Sequence, residues 1–149
     1  MTGPSVSLRR AGPDGIGRIE RLLRANDLPD HDVREKADRF FLCVDDSEEL
    51  VGVGGVETFG PDGLLRSVVV PQGKRGRGYG SALCDALEAH ARQEGVRTLY
   101  LLTTTAAPFF RDRGYAEIDR EVVPARVRAN EEFTDFCSVS ATCLRKGLT

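Results

Sequence analysis

The chain contains no tryptophan, a single methionine and only two histidines, His31 and His90. So few imidazoles argue against a histidine-rich metal site, and no metal is expected. His90 falls on the flank of a helical segment, away from any reaction centre. The four cysteines, Cys43, Cys84, Cys137 and Cys143, form no C-x-x-C pair. Cys43 and Cys84 lie inside apolar strand or helix segments, so neither a disulfide framework nor a zinc site is expected. Reduced thiols in a cytoplasmic protein are the expectation. No apolar run reaches membrane-spanning length, and the first four residues are not followed by a signal-peptide core, so no membrane partner is expected. The net charge of −2 argues against a dedicated nucleic-acid binder, whose footprint is strongly basic. Two familiar phosphate loops are also missing. The string G-x-x-x-x-G-K-[ST] does not occur, and G-x-G-x-x-G counted from Gly76 or Gly78 ends on Ser81 or Leu83.

What is present points to an ordinary globular domain spanning 1–149, with 40% hydrophobic and 30% charged residues. Its most informative stretch is Arg75-Gly76-Arg77-Gly78-Tyr79-Gly80. Residues 64–70 before it are apolar and β-branched and read as a buried strand. Residues 81–91 after it are good helix formers, with Leu83, Ala86, Leu87 and His90 at helical spacing. Strand, glycine turn and helix start together make an anion cradle. Glycines let the backbone approach a ligand, and the first helical turn presents unpaired N–H groups to phosphate. Lys74, Arg75 and Arg77 add a local positive cluster, suited to one phosphorylated ligand rather than a duplex backbone.

Along the rest of the chain, residues 6–9 alternate as a strand. Asp14 is placed to cap a helix carrying Ile16, Ile19, Leu22 and Leu23 and ending near Asn26. A short polar second helix is predicted over 31–39, then a buried strand over 40–44. Residues 50–59 form a strand interrupted by Gly52, Gly54 and Gly55, where a bulge or a close backbone approach is expected. Residues 60–63 close a hairpin. Gly95 ends the long helix, 98–102 is a buried strand, and 107–113 is a short helix stopped by Gly114. A strand over 115–118, a polar helical stretch from Pro124 to about 130 and a strand over 138–144 complete the chain. The order β-α-α-β-β-β-α-β-α-β-β predicts an α/β fold with a sheet of mixed direction.

The hexapeptide fits R-x-x-G-x-G, and on it the chain resembles the Gcn5-related N-acetyltransferases (GNAT superfamily). The predicted element order and the segment 109–115, with an aromatic before a Gly-aromatic pair, extend the resemblance over most of the chain. The resemblance implies a sheet whose central strand pair splays apart, and acetyl-CoA as cosubstrate. Val68, Val69 and Val70 would pair through their main chain with the pantetheine arm. The amides of Arg75, Gly76, Arg77, Gly78, Tyr79, Gly80 and Ser81 would hold the pyrophosphate.

The acceptor would be the primary amine of a small, amino-acid-like molecule, attacking the thioester directly in a ternary complex. Such an amine is mostly protonated at neutral pH, so a general base is needed. Glu57 matches the family position for that base, and its apolar, glycine-rich setting would raise its pKa by desolvation. The alternative is a solvent-facing glutamate near a strand end. Phe110 stands where the family usually has a tyrosine that protonates the leaving thiolate, a departure from the pattern. Phe109 and Phe110 would instead pack on the pantetheine or line the acceptor pocket. Thr103 matches a CoA-contacting asparagine, or else caps the next helix.

Arg66, Ser67 and Arg128 would bind a substrate carboxylate, since guanidinium pairs bidentately with carboxylate, or else Arg66 is a plain strand-surface arginine with glutamate partners. Residues 65–70, 101–106 and 133–137 also resemble an arsenic-resistance-associated subgroup, some members of which acetylate arsenic-containing amino acids. Family members often dimerise, which implies a homodimer. Two other readings stay open: a protein or peptide N-terminal acetyltransferase, and a non-catalytic acyl-CoA-binding sensor.

Overall fold

The computed structural model describes residues 4–26, 28, 30, 33–129 and 141–148. Its strands are β1 Val6–Arg10, β2 Phe40–Asp45, β3 Leu50–Phe59, β4 Asp62–Val69, β5 Thr98–Thr103, β6 Ala116–Glu117 and β7 Thr142–Gly147. Its α-helices are α1 Pro13–Ala25, α2 Tyr79–Gln93, α3 Ala107–Asp112 and α4 Ala125–Arg128. Among the described residues the seven strands form one mixed sheet in the hydrogen-bonded order β1-β2-β3-β4-β5-β7-β6. The expected α/β class is therefore observed.

The chain divides into two compact units, Met1–Val56 with Ser67–His90, and Glu57–Arg66 with Ala91–Thr149. In the first, β1, β2 and the start of β3 pair antiparallel, and the β2–β3 register slips between Cys43 and Val44. One side of these strands is apolar: Phe40 and Val53, with Val69, pack against Ile16, Ile19 and Leu23 of α1. On the other side glycines replace side chains. A Cβ on Gly52 would lie 2.8 Å from a methyl of Leu83, and one on Gly54 would lie 2.6 Å from a methyl of Leu87. Gly52 and Gly54 are the floor on which α2 rests, while a Cβ on Gly55 would meet the ring of Phe40 at 3.1 Å, so close approach explains all three. His90 of α2 sets its ring 4.6 Å from that of Phe41.

In the second unit, a two-residue turn at Gly60 and Pro61 joins β3 to β4, with Gly60 at φ 69°. The Pro61 carbonyl accepts the amides of Arg97 and Thr98, which starts β5 alongside β4. That parallel ladder covers Asp62–Leu64 against Thr98–Tyr100, and both strands run on beyond it. The core here gathers Leu64, Tyr100, Val123, Val127 and Cys143.

Several sequence expectations need correction. No α-helix forms over the described part of 31–39; Ala37–Arg39 is one 3-10 turn, and of this segment only Val33 is buried. A polar segment this short lacks both the length and the apolar face that hold a helix in place. Asp14 is not the cap of α1. Pro13 occupies the first helical turn after Gly12, and Asp14 sits inside that turn, where its charge still suits the helix dipole. The last strand runs to Gly147, past the expected Leu144, because its register continues down β5 to Thr98. The expected strand start at 138–140, Cys137, His31 and the stretch 133–137 lie outside the described residues.

Candidate functional site

Between β4 and α2 the chain passes through the 3-10 turn Gln72–Lys74 and then two left-handed glycines, Gly76 at φ 78° and Gly78 at φ 85°. Residues with a Cβ adopt that region at a cost, so these two positions need glycine for backbone geometry. Space is a separate matter: a Cβ on Gly76 would meet nothing within 4 Å. The first α2 hydrogen bond runs from Ala82 N to Gly78 O, 3.1 Å. Gly78, Tyr79 and Gly80 lie ahead of that bond, where a helix start leaves amides without an i−4 carbonyl. The N–H groups of this helix start and the positive end of the α2 dipole favour negative charge beside the turn.

The cations around the loop are not equivalent. Lys74 is ion-paired with Glu49. Arg75 donates through Nε to the Val70 carbonyl at 2.9 Å and through a terminal nitrogen to Asn26 Oδ1 at 2.7 Å. Arg77 is exposed, and among the described residues it forms no ion pair. Upstream, Ser67 breaks the regular course of β4 with φ 59°, an unusual conformation for a residue with a Cβ. Val68 and Val70 are half-buried and Val69 is buried, its side chain in the α1 core.

In the second unit the surprise is Glu57 and Arg66. Arg66 Nη1 donates to Glu57 Oε2 at 3.0 Å, and the side chains are 0% and 2% exposed respectively. Two residues assigned from sequence to different tasks, base and carboxylate binding, form one buried ion pair. A signal existed: counting back from a two-residue turn puts Leu64 opposite Glu57, and Arg66 diagonally beyond it on the same face. Arg128 is exposed on α4.

Thr103 Oγ1 accepts the amide of Ala106, the residue that caps α3, at 2.9 Å. Its oxygen thus serves the turn into α3. Phe110 is buried, its ring 5.3 Å from Tyr115 and 5.1 Å from the half-buried Phe109 in edge-on contacts. Tyr115 is buried beneath the ammonium of Lys146. Tyr100 is also buried; burial and the nearby Asp62 raise its pKa, against an opposing hydrogen bond from Arg145. The thiols of Cys43 and Cys143 are pushed up to about 11 by burial.

Comparison with known proteins bears on fold and family. One relative, an amino-acid acetyltransferase from Salmonella typhi, is 27% identical over 125 residues, covering 78% of this chain and 28% of that protein. The chain thus spans less than a third of that relative's length. The structure of N-acetylglutamate synthase from Neisseria gonorrhoeae, complexed with coenzyme A and N-acetyl-glutamate, superposes with a TM-score of 0.83 at 21% identity, covering 99% of this chain and 36% of that one. Rv2747 from Mycobacterium tuberculosis, also solved with CoA, gives 0.78 at 22% identity, covering 96% of this chain and 99% of that one. At these identities the superpositions establish the fold. Residues 14–115, more than half of the sequence, match the Acetyltransferase (GNAT) family, and the chain belongs to that family.

Proposed function

We propose that this protein transfers an acetyl group from acetyl-CoA to the primary amine of a small, amino-acid-like molecule. The observation that carries the donor half is the pair of left-handed glycines opening α2, which aims a row of amides and a helix dipole at one anion. A pyrophosphate needs this arrangement of donors. In this reading the amides from Arg75 to Ser81 hold it, and the main chain of Val68, Val69 and Val70 pairs with the pantetheine arm. Thr103, Phe109 and Phe110 remain candidate CoA contacts. The relatives that carry amino-acid acetyltransferase activity in their names support the acceptor half.

The reaction forms a C–N bond as the neutral amine attacks the thioester carbon, and breaks the C–S bond as CoA leaves. Glu57, directly or through water, takes the proton that the ammonium substrate must lose. Its carboxylate is fixed in direction by Arg66. As the amide forms, the nitrogen sheds its second proton, and the leaving thiolate, whose thiol has a pKa of roughly 8.5, takes up a proton through solvent without a tyrosine at position 110. Ser67 and Arg128 remain candidate contacts for a substrate carboxylate. For Arg66, burial against Glu57 favours the supporting task.

The test is a thiol-release screen with acetyl-CoA against amino acids, polyamines, aminoglycosides and peptides. Turnover with an amino acid or a close analogue supports the reading. Turnover with peptides alone makes the protein a peptide N-terminal acetyltransferase. Acetyl-CoA binding with no turnover on any amine makes it an acyl-CoA sensor, the reading that Phe110 favours. If Glu57→Gln leaves turnover and the pH–rate profile unchanged, Glu57 is not the base.

A further inference from the structure

We infer that Arg75 and Asn26 form a tether that sets the shape of the phosphate loop, leaving Arg77 as the loop cation that meets a bound phosphate. This rests on the donor site proposed above and assigns different work to residues that look alike in sequence. Lys74, Arg75 and Arg77 lie within four positions, and two of the three are engaged with the protein itself. Lys74 is paired with Glu49. Arg75 spans two elements with one fork: Nε reaches the Val70 carbonyl just past β4, and a terminal nitrogen reaches Asn26 Oδ1 at the end of α1.

Asn26 is a fixed acceptor. Its Nδ2 donates to the Leu22 carbonyl at 2.8 Å and its backbone N–H to the Leu23 carbonyl at 3.1 Å. With Nδ2 held on the last turn of α1, the amide oxygen faces Arg75. The fork closes the loop across 70–75, immediately before the left-handed Gly76 and Gly78. A glycine-rich segment has many alternative conformations, and holding its entry in one place reduces the ordering that a ligand must impose. Arg75 therefore acts through the loop amides as a positioning residue. A lysine cannot replace it, because an ammonium lacks the planar fork that serves two acceptors at fixed angles.

The experiment is calorimetric titration of the full chain with CoA, alongside melting of the unliganded variants. Asn26→Ala and Arg75→Ala are each expected to weaken CoA by about three- to tenfold, the range for exposed hydrogen bonds to a charged group. The double variant should bind no more weakly than Arg75→Ala, because both remove one tether. Asn26→Asp keeps the acceptor but loses the donor to Leu22, so it should restore affinity. Arg75→Lys should not. Arg77→Ala should weaken CoA additively with either and flatten the salt dependence.

Three results would overturn the tether: Asn26→Ala binding CoA like the parent, full additivity with Arg75→Ala, or Arg75→Lys binding like the parent. Failure of Asn26→Asp to restore affinity would also overturn it, by tracing the loss to the end of α1. If the parent protein binds no CoA, the donor site itself fails, an outcome distinct from a parent that binds and an Asn26→Ala variant that binds equally.

Discussion

Replacing Arg66 with methionine is the most demanding test of how this fold holds its buried charges. Both partners of the Glu57–Arg66 pair are almost wholly removed from solvent. Removing one member of a buried ion pair strands the other in a medium that solvates it poorly, at a cost of about 3–5 kcal/mol. A domain of this size has a total stability of about 5–15 kcal/mol, so the change is a large share of it. At about 3–5 °C per kcal/mol, the melting temperature should fall by roughly 9–25 °C. Replacing both residues, Glu57→Leu with Arg66→Met, removes the two desolvation costs together and should recover most of the loss, ending near neutral. The assay is urea unfolding followed by circular dichroism, with the slope checked for constancy so that a midpoint shift reads as stability. An Arg66→Met loss below about 1 kcal/mol refutes the reasoning, and so does a double variant as unstable as the single one. On the proposed role of Glu57 as base, the double variant should also lose turnover while remaining folded.

Gly78→Asp forces a Cβ into a left-handed backbone and puts negative charge where phosphate would sit, so acetyl-CoA should no longer raise its melting temperature. Gly54→Ala should destabilise by about 1–3 kcal/mol through overlap with Leu87, and shortening Leu87 to alanine in that background should cost less than it does in the parent. The Cys43 and Cys143 thiols have folded pKa values of about 11 against an ordinary 9.0. Above pH 9 the unfolded chain loses these protons while the folded one keeps them, so stability should fall as pH rises from about 9 to 11 and be unaffected below. Melting scans across that range check this, and replacing both cysteines with alanine should flatten the decline.

Most elements were legible because their periodicities are strong. Leu50–Phe59 shows the strand, Gly95 and Gly114 show the helix ends, and both glycines are indeed left-handed at φ 89° and 96°. The segment 31–39 misled because polar residues at helical spacing carry propensity without an apolar face to hold them. Asp14 misled because a proline beside it took the first helical turn. Glycines in β3 signalled a close approach without revealing that Leu83 and Leu87 were the approaching groups.

By itself, then, the sequence determined the α/β class and the glycine turn between strand and helix, because both depend on local geometry: strand, left-handed glycines and helix start are contiguous in 64–91. Only the tertiary structure decided what the charged side chains do. Arg75 and Asn26 are separated by 49 positions, and Glu57 and Arg66 by 9 across a hairpin, yet each pair is joined by a hydrogen bond of 3.0 Å or less. The neighbourhood of a long, flexible cation shows its partner only in part: the hairpin puts Arg66 on the face of Glu57, while nothing near Arg75 in the sequence points to Asn26. Folding supplies each partner by bringing distant backbone together, and for Glu57 and Arg66 it also excludes the water that would otherwise compete.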